Sequence, residues 1–180
     1  RGVHFRAMTP VSVRTADERG ALGNRVASWI VELPIAERDP VARLEAVREQ
    51  TSELRGSHTE RGMEIIEQAS EWTGSFALSM GARLAAYTTP FNVVITNVPG
   101  PRETLWLLGA RMRAAHPHVP LMTNQGLGIA LFSYAGTLSW GFSADWDLVP
   151  DLHELVRATQ RAFDELDEAA RVEVTTEPPA

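Results

Sequence analysis

Strict alternation marks the first segment of the chain. Val3, Phe5 and Ala7 take turns with His4, Arg6 and Met8, the period of two expected of a half-buried strand. Thr9-Pro10 ends that run, and Val11–Arg14 continues in extended form. A polar, glycine-bearing loop at Asp17–Gly23 leads to a second apolar strand, Val26–Leu33, which Pro34 closes. Asp39-Pro40 pairs an N-cap side chain with proline at the first helical position, so a helix is expected from there. Leu44, Val47, Thr51 and Leu54 fall on one of its faces, and Gly56-Ser57 breaks or kinks it. Ile65, Ile66, Ala69 and Trp72 make a second apolar helical face, and Phe76, Met80, Leu84 and Tyr87 a third. Thr89-Pro90 stops the helical region.

From Asn92 the pattern turns to β. Asn92–Val98 is an apolar run of the buried-strand kind. Leu105–Leu108 and Arg111–His118 follow as shorter strands on either side of Gly109. Leu127–Tyr134 and Thr137–Trp146 read as a hairpin around Ala135-Gly136. Pro150 opens a last helix with Leu152, Leu155, Val156, Thr159, Phe163 and Leu166 inward. Asp151 and Glu154 suit the positive end of its dipole. Strands, helices, strands and a final helix, with no internal repeat, predict an α/β or α+β two-layer sandwich. A mixed sheet with helices packed on it would form one domain over residues 1–174, and Thr175–Ala180 would be a disordered tail.

Composition narrows the class. With 180 residues the chain can bury a real core, and 44% hydrophobic against 22% charged content places it among soluble globular proteins. No apolar run is long enough to span a bilayer, and no signal-peptide pattern opens the chain. Cysteine is absent, which excludes disulfides, thiol nucleophiles and thiolate zinc sites and fits the cytoplasm. A net charge of −6 argues against a nucleic-acid binder. The 17 basic residues are all arginine, so lysine chemistry is excluded, while guanidinium forks can still hold phosphate. Arg1 is not an initiator methionine and the strand starts almost at once. The chain is therefore expected to be a fragment or processed piece of a longer protein, a short truncation being the alternative.

Few segments carry chemistry. The phosphate loop, the Gly-x-Gly-x-x-Gly fingerprint and His-Glu-x-x-His are all missing. Ala77-Leu78-Ser79-Met80-Gly81 has the look of a variant nucleophile elbow, but it lies inside a helical pattern, which argues against a nucleophilic Ser79. His116 and His118 could share a strand face, yet without a third ligand they read as a structural or solvent-facing pair.

The sharpest signal is the strand Val93–Val98 running into Pro99-Gly100-Pro101-Arg102. Such a strand end is rigid, and Thr96 and Asn97 sit just before it as potential donors to a developing oxyanion. On local sequence alone the simpler role for both is to satisfy backbone groups of the turn. A second signal is the small-residue face formed by Gly126, Gly128 and Ala130 opposite Ser139, Gly141 and Ser143. It leaves room for a ligand or another backbone, with close packing of a helix as the alternative.

Taken in order, several landmarks resemble the C-terminal domain of the bacterial-type wax ester synthase/acyl-CoA:diacylglycerol acyltransferase family. They are Thr9-Pro10-Val11-Ser12-Val13-Arg14, Leu22-Gly23-Asn24-Arg25, and Leu33-Pro34 before Asp39-Pro40. Thr96-Asn97-Val98-Pro99-Gly100-Pro101, Gly109-Ala110, Pro120-Leu121 and Gly126-Leu127 follow. Tyr134-x-Gly136-x-Leu138-x-x-Gly141 and Asp145-x-Asp147-x-Val149-Pro150-Asp151 complete the series. The resemblance implies one lobe of a chloramphenicol acetyltransferase-like fold, in which two similar lobes enclose a tunnel. The general-base histidine of that family lies in a His-His-x-x-x-Asp-Gly motif of the other, N-terminal lobe. None of His4, His58, His116, His118 and His153 sits in such a pattern, so this chain alone is expected to be inactive.

By resemblance, Thr96 or Asn97 would stand near the reacting carbonyl, threonine replacing the serine more usual in Ser-Asn-Val-Pro-Gly-Pro. Arg14 and Asn24 would structure the tunnel or contact the coenzyme, and Gly126, Gly128 and Ala130 would line the acyl or alcohol channel. The implied reaction passes an acyl group from acyl-CoA, a substrate rather than a cofactor, to diacylglycerol or a fatty alcohol, giving triacylglycerol or wax ester. It needs no metal and no covalent enzyme intermediate. Expected partners are the N-terminal lobe and the lipid substrates. The site of action would be the cytoplasm, with peripheral contact at a membrane or lipid droplet. Two alternatives stand beside this: a non-catalytic lipid-, coenzyme- or partner-binding module of the same fold, and an acyltransferase using a polyketide or glycolipid alcohol.

Overall fold

The computed structural model describes residues 4–12, 26–56, 91–121 and 124–176. Nine elements run through them: β1 (Phe5–Ser12), β2 (Val26–Leu33), α1 (Pro40–Gly56), β3 (Val93–Pro99), β4 (Trp106–Leu107), β5 (Ala110–Arg111), β6 (Leu127–Tyr134), β7 (Thr137–Ala144) and α2 (Leu152–Thr176). The helical faces expected between Ile65 and Tyr87 lie outside the described residues, as do Ser79 and His58.

Five strands form one mixed sheet in the order β2-β1-β3-β6-β7. The three inner strands are parallel to one another, and β2 and β7 close the edges antiparallel. The inner position of β3 explains its apolar sequence: Val93 and Val94 are both buried although they face opposite sides. Ala7, Ala27, Trp29, Val31, Ala130 and Tyr134 extend this core along the neighbouring strands. Helix α1 packs on β2, α2 packs on β7, and the helices touch each other, so both lie on one face of the sheet. This is the mixed-sheet α/β sandwich that the order of elements predicts.

Local signals account for most boundaries. Asp39 caps α1 as expected, its Oδ1 accepting from the Ala42 N–H at 2.8 Å and its carbonyl from the Arg43 N–H at 3.0 Å. The other helix begins at Leu152 rather than at Pro150. The Asp151 carbonyl takes its first hydrogen bonds, from the Glu154 and Leu155 N–H groups, and Pro150 stays outside. It also continues through Thr176, so Thr175 and Thr176 belong to the helix and not to a tail. Ala135 and Gly136, with φ of 46° and 83°, make the tight turn between β6 and β7.

The strands expected at Leu105–Leu108 and Arg111–His118 shrink to a two-residue ladder, Trp106↔Arg111 and Leu107↔Ala110. Pro117 and Pro120 carry no N–H to donate, and residues 112–121 have no strand pairing. That segment crosses the sheet face opposite the helices. Val119 lies over Gly128, and Pro117 lies over Gly141.

Candidate functional site

Because β3 and β6 are parallel and in register, their carboxyl ends meet, with Thr96 beside Ala130, Val98 beside Phe132 and Pro99 beside Ser133. In open α/β sheets this end of the strands is where ligand crevices form. The turn leaving β3 is fixed by the end of β6. The Gly100 N–H donates to Ser133 Oγ at 3.2 Å, and the Ala135 N–H donates to the Pro101 carbonyl at 3.0 Å. Gly100 is required by space: a Cβ there would stand 2.5 Å from Phe132 Cζ and would also overlap the Ser133 carbonyl oxygen. A cleft of about 420 Å³ opens at this junction, lined by Gly100, Pro101 and Arg102 on one side and by Ser133 through Leu138 on the other.

The Pro-Gly-Pro turn therefore draws its hydrogen bonds from Ser133 and Ala135. Among the described residues, neither Thr96 nor Asn97 supplies a side-chain bond to it. Consecutive strand residues point to opposite faces. Thr96 is half-buried in the row with Ala130 and Gly141, while the exposed Asn97 faces the helix side with Leu131 and Trp140. One row earlier on the Thr96 face, Val94 lies beside Gly128 and Ser143. Thr96, Gly128 and Ala130 thus share a face.

What covers that face is the chain's own segment around Pro117 and Val119. A Cβ on Gly128 would stand 2.7 Å from Val119 Cγ1, and Ala130 is only 2% exposed. The backbone, rather than a helix, takes the room that the small residues leave. Gly126 is set apart: it packs against Leu148, and its carbonyl accepts from the Asp145 N–H at 3.0 Å. Asp145 Oδ1 in turn accepts from the Asp147 and Leu148 N–H groups, folding Asp145–Val149 into a turn before α2. Arg14 and Asn24 lie outside the described residues.

The two candidate metal histidines are both exposed, and His118 Nδ1 lies 3.0 Å from Ser143 Oγ. Among the described residues no three metal-ligating side chains come together.

Sequence reasoning placed Tyr134 among the family landmarks but gave it no role, and it is 3% exposed. Its hydroxyl accepts from the Leu105 N–H at 2.9 Å and donates to the Met112 carbonyl at 3.0 Å, so it holds both ends of the β4–β5 hairpin. The available signal was a tyrosine at the inner end of a predicted strand, where a buried ring still needs a partner for its hydroxyl. A second concavity of about 580 Å³ lies between β7 and α2, walled by Leu138, Trp140, Phe142, Val156 and Phe163. The Trp140 and Phe142 rings stack there with centroids 6.2 Å apart.

Comparison with known proteins gives one consistent answer. The family model described as the WS/DGAT C-terminal domain matches residues 22–167. A Mycobacterium tuberculosis protein whose name assigns it as a diacylglycerol O-acyltransferase is 34% identical over 165 residues, covering 87% of this chain and 32% of that protein. The O-acyltransferase WSD of Acinetobacter baylyi is 31% identical over 152 residues, covering 83% of this chain and 32% of its own length. Among solved structures, the wax ester synthase/diacylglycerol acyltransferase of Marinobacter aquaeolei shares the fold, with a TM-score of 0.60 at 22% identity. That match covers 93% of this chain and 37% of the other. The chain thus spans about a third of the length of these relatives.

Proposed function

The chain belongs to the WS/DGAT C-terminal domain family, and from that premise we propose that it is the C-terminal lobe of an acyl-CoA-dependent O-acyltransferase. The acceptor is diacylglycerol or a long-chain alcohol, and the product is triacylglycerol or wax ester. The general-base histidine is supplied by an N-terminal lobe, and this lobe forms one wall of the site.

The observation that carries the reading is the strand end at Thr96–Pro101. Its turn is locked by Ser133 and Ala135, so the Thr96 hydroxyl, half-buried on β3, is not spent on the turn. A donor on a fixed strand suits an oxyanion that must be met without rearrangement. The base takes the proton of the acceptor hydroxyl, the alkoxide oxygen attacks the thioester carbonyl, and Thr96 donates to the resulting oxyanion. Collapse expels the coenzyme A thiolate, which takes up the proton, and releases the ester. Arg14 and Asn24 are assigned to tunnel or coenzyme contacts on the family pattern alone, whereas Gly126 and Gly128, packed under Leu148 and Val119, and the buried Ala130 are not assigned to an open channel wall.

No helix among the described residues is long and apolar enough to cross a membrane. Peripheral contact with a membrane or lipid droplet fits substrates of this kind.

The test is steady-state kinetics of the full-length protein with palmitoyl-CoA and either diacylglycerol or hexadecanol. Intersecting double-reciprocal lines, with one acceptor preferred, support direct transfer in a ternary complex. Parallel lines would instead demand a covalent intermediate. Failure to release coenzyme A with either acceptor would leave a binding module without catalysis.

A further inference from the structure

The β4–β5 hairpin carries its apolar residues on the outside. Trp106 is 64% exposed, Leu107 75% and Leu108 100%, and a Cβ added at Gly109 would meet nothing within 4 Å. The tip therefore stands in open space, yet it is not loosely attached. The Tyr134 hydroxyl binds both of its ends, and the Met112 N–H donates to the Leu105 carbonyl at 3.0 Å. A contiguous Trp-Leu-Leu tip on a rigid stalk calls for an apolar surroundings that water does not provide.

The turn itself adds a second observation. Leu108 has a φ of 50°, in the left-handed region, followed by Gly109 at 81°. Turns of this kind favour asparagine or aspartate followed by glycine, and leucine at the first position carries backbone strain. A leucine held there against its backbone preference indicates that its side chain is wanted at the tip.

Charge selects the kind of surface. Exposed Arg102, Arg111 and Arg113 flank the tip, and Glu103 is the only acidic residue from Phe91 to Ala144. The chain as a whole carries −6, and α2 alone has six carboxylates against three arginines. Within residues 91–144 three arginines thus stand against one carboxylate, so the hairpin and the cleft beside it are locally cationic on an acidic chain. We infer that the β4–β5 hairpin is a membrane-docking finger: Trp106, Leu107 and Leu108 enter an anionic phospholipid surface while the three arginines meet its headgroups. An indole at the interface, leucines below it and guanidinium groups above follow the usual depth order of such contacts. The finger and the Gly100–Arg102 side of the cleft adjoin in sequence, so docking would bring the cleft to the lipid phase. That purpose rests on the acyltransferase reading above; the binding itself does not.

The test is vesicle co-sedimentation of the full-length protein with phosphatidylcholine alone and with phosphatidylcholine containing phosphatidylglycerol. Alongside it, turnover is measured on short-chain acyl-CoA and a short alcohol without vesicles. The informative variants are Leu107→Ser with Leu108→Asn, the latter relieving the turn, and Arg111→Gln with Arg113→Gln. Binding should favour the anionic vesicles, weaken with salt, and fall about tenfold in either double variant, with turnover on soluble substrates retained. Unaltered vesicle binding in the leucine variant overturns the inference. If turnover on soluble substrates collapses while vesicle binding persists, the finger contacts the second lobe instead. If no turnover is found in the parent but the variants still lose vesicle binding, the finger stands and the acyltransferase reading fails.

Discussion

The backbone of Pro117 crosses directly over Gly141 on the sheet face opposite the helices. A Cβ on Gly141 would overlap the Pro117 carbonyl oxygen and stand 2.9 Å from its carbonyl carbon. Backbone cannot move aside as a flexible side chain can, so Gly141→Ala should displace residues 112–121 and cost about 3 kcal/mol. Gly136 supplies the contrast. Its φ is 83° but nothing lies within 4 Å of an added Cβ, so Gly136→Ala should cost only about 1 kcal/mol. Urea unfolding of both variants compares them, and equal losses would mean that the crossing is not tight.

Tyr134→Phe removes only the hydroxyl that joins the ends of the hairpin, leaving the Leu105 N–H and the Met112 carbonyl without it. Both groups are partly buried, so the loss should be about 1–3 kcal/mol. Amide exchange at Leu105 should accelerate far more than exchange within β6 or β7. Uniform acceleration across the sheet would place the effect in the core instead.

Much of this architecture was legible because it depends on local rules. The Ala135-Gly136 turn, the Asp39 cap and the alternation of β7 each follow from a few neighbouring residues, and each is where the pattern predicts it. The facing small residues of β6 and β7 were legible too, since a pleated sheet fixes which residues share a side. What fills that side was not. Residues 112–121 have no strand pairing and no period, and only the assembled sheet shows Pro117 and Val119 to be its cover. The candidate site was half legible. Its rigid strand end was readable from Pro99-Gly100-Pro101, but the bonds that lock it come from Ser133 and Ala135, more than thirty residues away. Thr96 and Asn97 looked like one polar pair in sequence. The pleat puts them on opposite faces, so their side chains cannot converge from the strand on a single oxygen.

Edge strand β2 is guarded by one residue of α1. Gln50 Oε1 accepts from the Glu32 N–H at 3.0 Å, and Gln50 Nε2 donates to the Glu32 carbonyl at 3.0 Å, so one amide satisfies both outward groups of that residue. Unpaired edge groups are templates for pairing with another chain. Gln50→Leu should cost about 1–2 kcal/mol and raise self-association at high concentration, read by light scattering. Gln50→Glu keeps the acceptor and loses the donor, and should fall between leucine and the parent. A leucine variant as stable and as monodisperse as the parent would show that the amide is dispensable.

The sharpest test of the site separates Thr96 from its neighbour. If the Thr96 hydroxyl meets the oxyanion, it acts chiefly in the transition state. Thr96→Val in the full-length protein should then lower kcat about a hundredfold while KM for acyl-CoA changes little. Valine matches threonine in shape and in strand propensity, so on a half-buried strand face the exchange should keep the fold at a cost of about 1 kcal/mol. Thr96→Ser restores the hydroxyl and should recover most of the rate, which a packing role for the methyl group would not. Asn97→Ala, on the exposed helix-side face, should alter kcat by less than about threefold, since its side chain does not share the donor's face. A loss at Asn97 as large as at Thr96 would mean that the amide serves the reaction from the other side of the sheet. A loss at Thr96 that serine does not rescue would return that residue to the packing of β3 against β6.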